Sequence, residues 1–446
     1  PATPADPVLT TDATGEQGLP PGQPDHPERR DHGRLYGFRA FRSPGFRIYF
    51  VGMLFRGMAM WMPLVAIPWL AVQLGATPGE VGIVTAFFFL PTLFIGPMGG
   101  VLADRVERRR VLVISQLFAS FFAAVMFLLI VAGMQSLAVL SGMSFAFGML
   151  IAIEVPVRQA FMTELVPKQD IPSAASLHAT AWNTTRLFGP VLAGIMIATT
   201  GSASPFLFGA VVSLVVAGSV IWMDRYREKG RHRADRSQSV LEDLREGAAF
   251  VMREPVVRWS MILLWAAAMF GIATFITLAP IFAPQELNLG ADGYGAFIGA
   301  SGAGALTAAL LLTAFAHGDR RPWLIAGVFA MAVLIASLAV VDVVFVAMVI
   351  SFLLGAAQIT LAQNALVSVQ SATPDMLRGR VMGIWVMTFQ ASSLFGAILS
   401  GWLAEVIGVR GALFSGAMAL AVVGLIAAYA LRRVNWQLRP ASLASA

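Results

Sequence analysis

Three ionisable residues lie inside long apolar stretches of this sequence. Glu154 stands in IAIEVPVRQAF, Arg56 in VGMLFRGMAM and Arg186 in NTTRLFGPVLAG. At membrane depth such a side chain costs about 2.5–3.5 kcal/mol on insertion scales, so it is normally kept for function or for pairing. A buried glutamate can take up and release a proton, and a buried arginine can hold an anionic group or neutralise that glutamate.

The role of Glu154 has two interpretations. It is a candidate proton carrier, or it is the ion-pair partner of Arg158 one helical turn later, or of Arg105 or Arg108 at the membrane surface. The sequence places Glu154 about three residues from the inner end of its helix, which favours the ion pair.

The elements that must position these residues are membrane helices. The 446-residue chain carries only 13% charged residues and has a mean hydropathy of +0.73, whereas soluble domains carry about 25% charged residues. Twelve segments are apolar over about the 20 residues that a spanning helix needs. They lie near 48–72, 80–102, 111–133, 137–158, 174–198, 204–223, 258–282, 293–316, 322–341, 344–368, 380–404 and 411–431.

Basic residues predict the orientation of these helices. With the N-terminus in the cytoplasm, every Lys and Arg falls on the inner side except Arg56 and Arg186 within helices and Arg410 in an outer loop. Inner loops of membrane proteins carry this excess of positive charge. We therefore expect a multi-pass protein of the cytoplasmic (inner) membrane with both termini in the cytoplasm.

The long polar connection from Asp224 to Arg258 divides the chain into two halves. We predict a six-helix bundle over 41–223, a cytoplasmic linker over 224–257 and a second six-helix bundle over 258–432. The linker should contain an amphipathic helix on the membrane surface. The Pro- and Gly-rich segment 1–40 is predicted to be a disordered cytoplasmic tail, and 433–446 a second cytoplasmic tail.

The two halves repeat. At an offset of 207, Leu187-Phe188-Gly189 matches Leu394-Phe395-Gly396, Gly194 matches Gly401 and Gly201 matches Gly408. Earlier in each half the offset is 212, where Glu107-Arg108-Arg109 matches Asp319-Arg320-Arg321. Two halves that start on the same side form a parallel repeat, and transporters of that plan bind substrate near the midplane between the halves.

The stretch GPMGGVLADRVERRR carries a resemblance to the major facilitator superfamily. Its residues Gly100, Asp104, Arg105, Arg108 and Arg109 fit that family's pattern Gly-x-x-x-Asp-Arg-x-Gly-Arg-Arg, with Glu107 where glycine is usual. The segments FFFLP and RLFGPVLAG resemble the branch of enterobactin exporters and related bacterial secretion proteins. The resemblance covers about residues 40–432. It implies an all-α fold of twelve transmembrane helices in two parallel-repeat bundles.

The resemblance also implies a gating latch at the cytoplasmic face. A carboxylate at Asp104 can accept hydrogen bonds from free N–H groups at another helix N-terminus. The family points to the start of helix eleven, RGRVMG, which contains Arg380 and Gly383. Together with Gly100, Arg105, Arg108 and Arg109, these residues would lock the halves together. The alternative for the arginines is plain anchoring to the inner surface.

The family further implies a central cavity lined by helices one, four, seven and ten. Polar residues that a lipid-facing helix avoids, and Met and Trp side chains that adapt to apolar ligands, are candidates for its walls. The candidates for the substrate pathway are Arg56, Met60, Trp61, Asn183, Arg186, Trp265, Gln358, Gln363 and Gln390. The alternative for each Met or Trp is ordinary packing, and for Arg56 a structural bond to backbone carbonyls.

Helix five contains Gly189, Pro190 and Gly194, which resemble part of the glycine-proline signature of antiporters in the family. Proline opens a backbone hydrogen bond and glycine lets helices touch. The antiporter interpretation favours export, and the alternative is helix packing.

Other classes of protein lack their motifs here. The only lysines, Lys168 and Lys229, do not follow a phosphate-binding loop, no HExxH pattern is present, and GASGA at 299–303 departs from G-x-S-x-G. The absence of cysteine excludes thiolate metal sites, and the basic loops contain no nucleic-acid-binding module. We therefore expect no enzyme, no cofactor and no metal.

The sequence favours a secondary active exporter of amphipathic small molecules, such as a drug, siderophore or metabolite, working by proton antiport. A lipid or lysolipid flippase and an uptake symporter of the same fold are the alternatives. The expected partners are the small-molecule substrate, the proton and membrane lipids, without nucleic acid, and the expected state is a monomer.

Overall fold

The computed structural model describes residues 36–105, 107–226, 240–315 and 319–432. The side chains of 36, 96–105, 240–244, 313–315 and 375 are not among those described. The predicted tails therefore lie outside the described residues, apart from 36–40 at the start. Residues Tyr36–Arg42 form a short 3-10 helix before the first membrane helix.

The N-terminal half consists of six helices. They are α1 (Pro44–Gln73), α2 (Pro78–Arg105), α3 (Arg108–Val131), α4 (Leu137–Met162), α5 (Ile171–Thr200) and α6 (Ser204–Met223). Ser43 and Ser136 start α1 and α4 by accepting hydrogen bonds from the backbone N–H groups of Phe46 and Val139, at 3.4 and 3.3 Å. Gly201 ends α5 with a φ of 88°, a conformation that favours glycine.

The linker contains α7 (Val240–Arg253), and the C-terminal half follows it. One continuous helix consists of α8 (Pro255–Ala266), a π-helical stretch at Ala267–Ile272 and α9 (Ala273–Glu286). The remaining helices are α10 (Ala291–Phe315), α11 (Arg321–Leu338), α12 (Val344–Ala372) and α13 (Asp375–Leu431).

Each of the twelve predicted apolar segments corresponds to one of these helices or to the continuous run from α8 to α9, although 111–133 and 322–341 extend two and three residues beyond α3 and α11. Two of them, 380–404 and 411–431, share α13, which is broken at Gly408 by non-helical angles of φ 77° and ψ 164°. Its repeat partner Gly201 has φ 88° and ψ 164°, so the repeat seen in sequence is also a repeat of backbone conformation. Among the described helices, ten are long and apolar enough to cross a membrane by composition alone. The number is ten and not twelve for two reasons. The last two predicted segments form the single helix α13, and α5 is not apolar enough because its first half is rich in polar residues.

Helix α7 packs on the C-terminal half. Its Val251 is buried with Val257 of α8, Val369 of α12 and Val381 of α13. Protein contacts thus remove Val251 of the predicted amphipathic linker helix from water. The predicted position of this helix on the membrane surface stays a prediction.

The two ends of the bundle differ in charge. We call the end where α1 begins and α4 ends the basic end, since Arg108, Arg109 and Arg110 lie there, and the other the opposite end. At the opposite end the halves meet along two seams, α5 with α10 and α2 with α13.

Glycines set how closely these seams pack. A Cβ atom on Gly194 of α5 would lie 2.8 Å from the Cα of Gly295 and 2.5 Å from the carbonyl oxygen of Ala291 on α10. In the α2–α13 seam, a Cβ on Gly401 would lie 2.9 Å from the Cα of Gly82. Both seams therefore bring backbone against backbone, and they close the opposite end between the halves.

A carboxylate reinforces one seam. Glu405 of α13 accepts hydrogen bonds from the backbone N–H of Gly79 at 3.2 Å and the hydroxyl of Thr77 at 3.3 Å. It thereby caps the N-terminus of α2 from the other half, where free N–H groups and the helix dipole favour a negative charge. The repeat offset of 207 places Ala198 at the equivalent position of the α5–α10 seam, so that seam lacks this cap.

Candidate functional site

A cavity of about 330 Å³ lies between the two halves at mid-depth. We call it the central cavity. Its walls are mainly aromatic and aliphatic, and its volume is within the range of small-molecule pockets. The residues that line it include Met60, Trp61, Phe88, Phe89, Ile151, Trp182, Arg186, Ile272, Phe275, Tyr294, Ile298, Ser301, Gln358, Phe389, Gln390 and Ser393.

A second cavity of about 330 Å³ adjoins the central cavity and has a more polar wall. We call it the polar cavity. Its polar lining residues are Arg158, Gln159, His178, Asn183, Arg186 and Gln363. Trp182, Arg186 and Ile359 line both cavities. Gln159 is exposed and lies three residues before the end of α4, so the polar cavity reaches the surface on the side of the basic end.

Arg186 stands at the junction of the two cavities and links the halves. Its Nη2 donates a hydrogen bond to Oε1 of Gln358 on α12. A guanidinium has donors only, so the amide oxygen of Gln358 must face it and the amide N–H₂ group faces away. Among the described residues, no carboxylate forms a salt bridge with Arg186.

Glu154 lies at the centre of a buried charged cluster inside the N-terminal half. Arg56 of α1 donates to it twice, from Nε to Oε1 at 3.1 Å and from Nη2 to Oε2 at 2.6 Å. Arg158 of α4 and Gln116 of α3 also donate to Oε1, the latter at 2.7 Å. Glu154 is 1% exposed, so this carboxylate is removed from both water and lipid. We call Arg56, Gln116, Glu154 and Arg158 the charged cluster.

The charged cluster shows which arginines pair with Glu154. Glu154 pairs with Arg158, as one interpretation predicted, and with Arg56 as well, whereas Arg108 pairs with Glu164 instead. The side chain of Arg105 lies outside the described residues. Since α4 continues to Met162, Glu154 is eight residues from the helix end and not three, about 12 Å along the helix axis.

Two residues missed by the sequence analysis join the cluster to the polar cavity. The hydroxyl of Tyr49 lies 2.9 Å from Nδ1 of His178 and 3.5 Å from the carbonyl oxygen of Arg158. Gln116 was missed too, although a signal was present, since it interrupts the apolar run VLVISQLFASFF of α3. A polar amide in such a helix is expected to face protein rather than lipid.

The structure separates the substrate-pathway candidates into two groups. The candidates that line a cavity are Met60, Trp61, Asn183, Arg186, Gln358, Gln363 and Gln390. Arg56 and Trp265 do not line either one. Arg56 is turned into the N-terminal half by Glu154, and Trp265 is 39% exposed on α8, with its ring edge-on to Phe270.

The latch candidates fall partly outside the described residues. Those without described side chains are Gly100, Asp104 and Arg105. Arg108 pairs with Glu164 at 2.8 Å and Arg109 with Asp224 at 3.5 Å. These contacts tie helix ends within the N-terminal half.

On the C-terminal half, Arg380 pairs with Glu246 of α7, which attaches the linker helix to α13. A Cβ atom on Gly383 would meet no other atom within 4 Å, so packing in this structure does not require glycine there.

The glycine-proline segment of α5 makes two close contacts. A Cβ on Gly189 would lie 2.7 Å from Cβ of Trp61 on α1, and the carbonyl oxygen of Pro190 would lie 2.5 Å from a Cβ on Gly295. Gly194 is in the α5–α10 seam described above. These contacts correspond to the packing interpretation of the segment.

Comparison with known proteins gives a consistent family. Residues 36–442 match the family described as transmembrane secretion effectors. The multidrug efflux pump Tap of Mycolicibacterium fortuitum is 27% identical over 408 residues, which are 87% of this chain and 96% of that protein. The uncharacterised MFS-type transporter YfiS of Bacillus subtilis (strain 168) is 27% identical over 384 residues, 82% of this chain and 88% of that protein.

Solved structures share the architecture. A bacterial homologue of the human lysosomal transporter Spinster, in an inward-facing and unoccupied conformation, superposes with a TM-score of 0.67. It covers 90% of this chain and 98% of that chain at 13% identity, a likeness that concerns the fold alone.

Proposed function

The chain belongs to the transmembrane secretion effector family of the major facilitator superfamily, and we propose that it is a secondary active exporter of amphipathic small molecules. The central cavity is the observation that carries this proposal. It is enclosed between two repeated halves, has mainly apolar walls and adjoins a polar cavity. Alternating access operates by rocking two such halves around a site at their interface.

The distribution of charge indicates an inward-facing state of the transport cycle. The positive-inside rule assigns the basic end to the cytoplasm, and the seams at the opposite end then close the side away from it. In this state the polar cavity opens toward the cytoplasm, where an exporter loads its substrate. The name of its relative Tap, a multidrug efflux pump, agrees with this direction.

We propose proton antiport as the source of energy, with Glu154 as the proton carrier. Among the described residues, it is the carboxylate that is buried deep within a membrane helix. Arg56, Arg158 and Gln116 hold its two oxygens in this closed arrangement, so proton exchange requires that the charged cluster rearrange during the transport cycle.

Reconstitution tests this proposal. Wild-type protein in proteoliposomes should move amphipathic fluorescent dyes against their gradient when a pH gradient is applied. Glu154→Gln should lose the response to the pH gradient and keep dye exchange without a gradient, whereas Glu154→Asp should keep both. Wild-type behaviour of Glu154→Gln in both assays would remove the carrier role. Accumulation of dye only in the direction of proton entry would identify an uptake symporter.

A further inference from the structure

We propose that the transported molecules are amphipathic anions, whose acidic group is bound by Arg186 and Gln358 where the two cavities meet. This inference rests on the proposed export function and names its substrate class. It is argued from the charge around the cavities, from their hydrogen-bonding capacity and from the shape of the site.

The walls of the two cavities carry positive charge without a matching negative charge. Arg158 and Arg186 line them, and no Asp or Glu is among the described residues that do. Glu154 neutralises only one of its two arginine partners, so the charged cluster keeps one net positive charge. Arg186 adds a second. Buried charges are costly unless they are paired, and a bound anion would supply the missing partner.

The fully buried, unpaired polar atoms in the walls of the two cavities are also of one kind. Three side chains that line the cavities have a buried polar atom without a hydrogen-bond partner among the described residues: Nε1 of Trp61, Nη1 of Arg158 and Nε2 of Gln358. All three are donors. Arg158 itself is only 6% exposed. Donors of this kind pair with the acceptor oxygens of a carboxylate or a sulfonate and not with an ammonium group.

The apolar walls account for the rest of the molecule. Trp61, Phe275, Tyr294 and Phe389 surround the central cavity, and aromatic side chains of this kind bind flat or aliphatic bodies. Arg186 lies at the junction of the two cavities, so a ligand with its body in the central cavity has its acidic group at Arg186 and Gln358.

The test uses two dyes with the same ring system. N-phenyl-1-naphthylamine is neutral, and 8-anilino-1-naphthalenesulfonate differs from it only by the sulfonate. Their dissociation constants are measured with purified protein in lipid nanodiscs, with empty nanodiscs as the lipid background. Because charge-assisted hydrogen bonds are stronger than neutral ones, we expect the sulfonate to bind about tenfold more tightly or better.

Substitutions at one position separate recognition from structure. Arg186→Gln should reduce the ratio of the two affinities to within about threefold of unity, and Arg186→Lys, which keeps the charge, should retain most of it. Arg110→Gln is the matched control, since it removes a 79% exposed arginine at the basic end and should leave the ratio unchanged. Equal weakening of both dyes by Arg186→Gln would show that Arg186 only links the halves, and would overturn the proposal.

Failure of this inference can be told apart from failure of the export function. Transport of both dyes into inverted membrane vesicles without preference for the sulfonate would leave export standing and remove the anion class. Preferential binding of the sulfonate without transport would support the anion class and remove the export function. Tighter binding of the neutral dye, or no binding of either, contradicts the proposed anion site.

Discussion

At the scale of single residues, the charged cluster is the feature that the membrane environment makes most demanding. One carboxylate serves two arginines, and all three charges are buried. The three charged members of the cluster therefore do not contribute equally to the stability of the protein. Removing Glu154 leaves two unpaired positive charges close together, whereas removing Arg158 leaves the bidentate pair of Glu154 with Arg56 intact.

We predict that Glu154→Gln destabilises the protein by about 3–5 kcal/mol, as expected when a buried ion pair loses one partner. Arg158→Gln should cost about 1 kcal/mol, near the average of single substitutions. The measurement is the midpoint of thermal unfolding in detergent, followed by the intrinsic fluorescence of tryptophan.

The control for this prediction is Asp342→Asn at the opposite end. Asp342 is exposed and forms an ion pair with Arg410. The same arginine donates a hydrogen bond from Nε to the carboxylate of Glu286 at 2.6 Å. An exposed pair of this kind contributes at most about 1 kcal/mol, so the midpoint should barely move. If Arg158→Gln lowers the midpoint as far as Glu154→Gln does, the proposed hierarchy within the cluster is wrong.

At the scale of helices, the seams between α5 and α10 and between α2 and α13 hold the opposite end closed. Their glycines stand where any side chain would meet the backbone of the partner helix. A seam of this kind has little room to adjust, because backbone atoms cannot turn aside as the end of a flexible side chain can. Substitution should therefore shift the balance between closed and open states toward opening at this end.

We predict that Gly194→Ala increases access to the central cavity from the opposite end. The chain has no cysteine, so Ser393→Cys introduces a single thiol at a buried position that lines this cavity. Labelling of this thiol with a membrane-impermeant maleimide on intact cells should be several-fold faster when Gly194→Ala is also present.

Gly209→Ala is the matched control for the seam. The new methyl group would lie 3.8 Å from Cβ of Ala123, an ordinary contact between α6 and α3 within one half. The protein that carries both Gly209→Ala and Ser393→Cys should be labelled as fast as the protein that carries Ser393→Cys alone. Equal rates for Gly194→Ala and Gly209→Ala would contradict the proposed role of the α5–α10 seam.

At the scale of the whole molecule, the end that faces the cytoplasm decides whether this structure is an inward-facing or an outward-facing state. We predict that the basic end faces the cytoplasm, because the positive-inside rule retains Lys and Arg there. The exposed residues Met134, between α3 and α4 at the opposite end, and Arg253, at the end of α7, serve as reporters. Met134→Cys should react with an impermeant maleimide on intact cells, and Arg253→Cys should react only in inverted vesicles. The opposite pattern would show that the closed end faces the cytoplasm.

Much of this architecture was predictable from sequence because a bilayer restricts what a chain can do. In lipid every backbone polar group must be paired internally, so apolar segments of sufficient length become helices. The internal repeat predicted two equivalent halves, which the matching angles at Gly201 and Gly408 display directly. The types of residue around the cavities were also predictable, since Gln358, Gln363 and Gln390 would be unfavourable in contact with lipid.

The partners of those residues were decided only by the tertiary structure. The hydropathy of a residue predicts whether its side chain is buried, but it does not predict which helix that side chain contacts. Of the two roles that the sequence allowed Arg56, binding an anion in the cavity or neutralising Glu154, the structure has the second. Trp265 was expected in the pathway but faces outward, because the rotation of each helix is set by packing with its neighbours. Which end is closed is likewise a property of how two halves dock, and a local pattern of residues cannot encode it, since both states use the same helices.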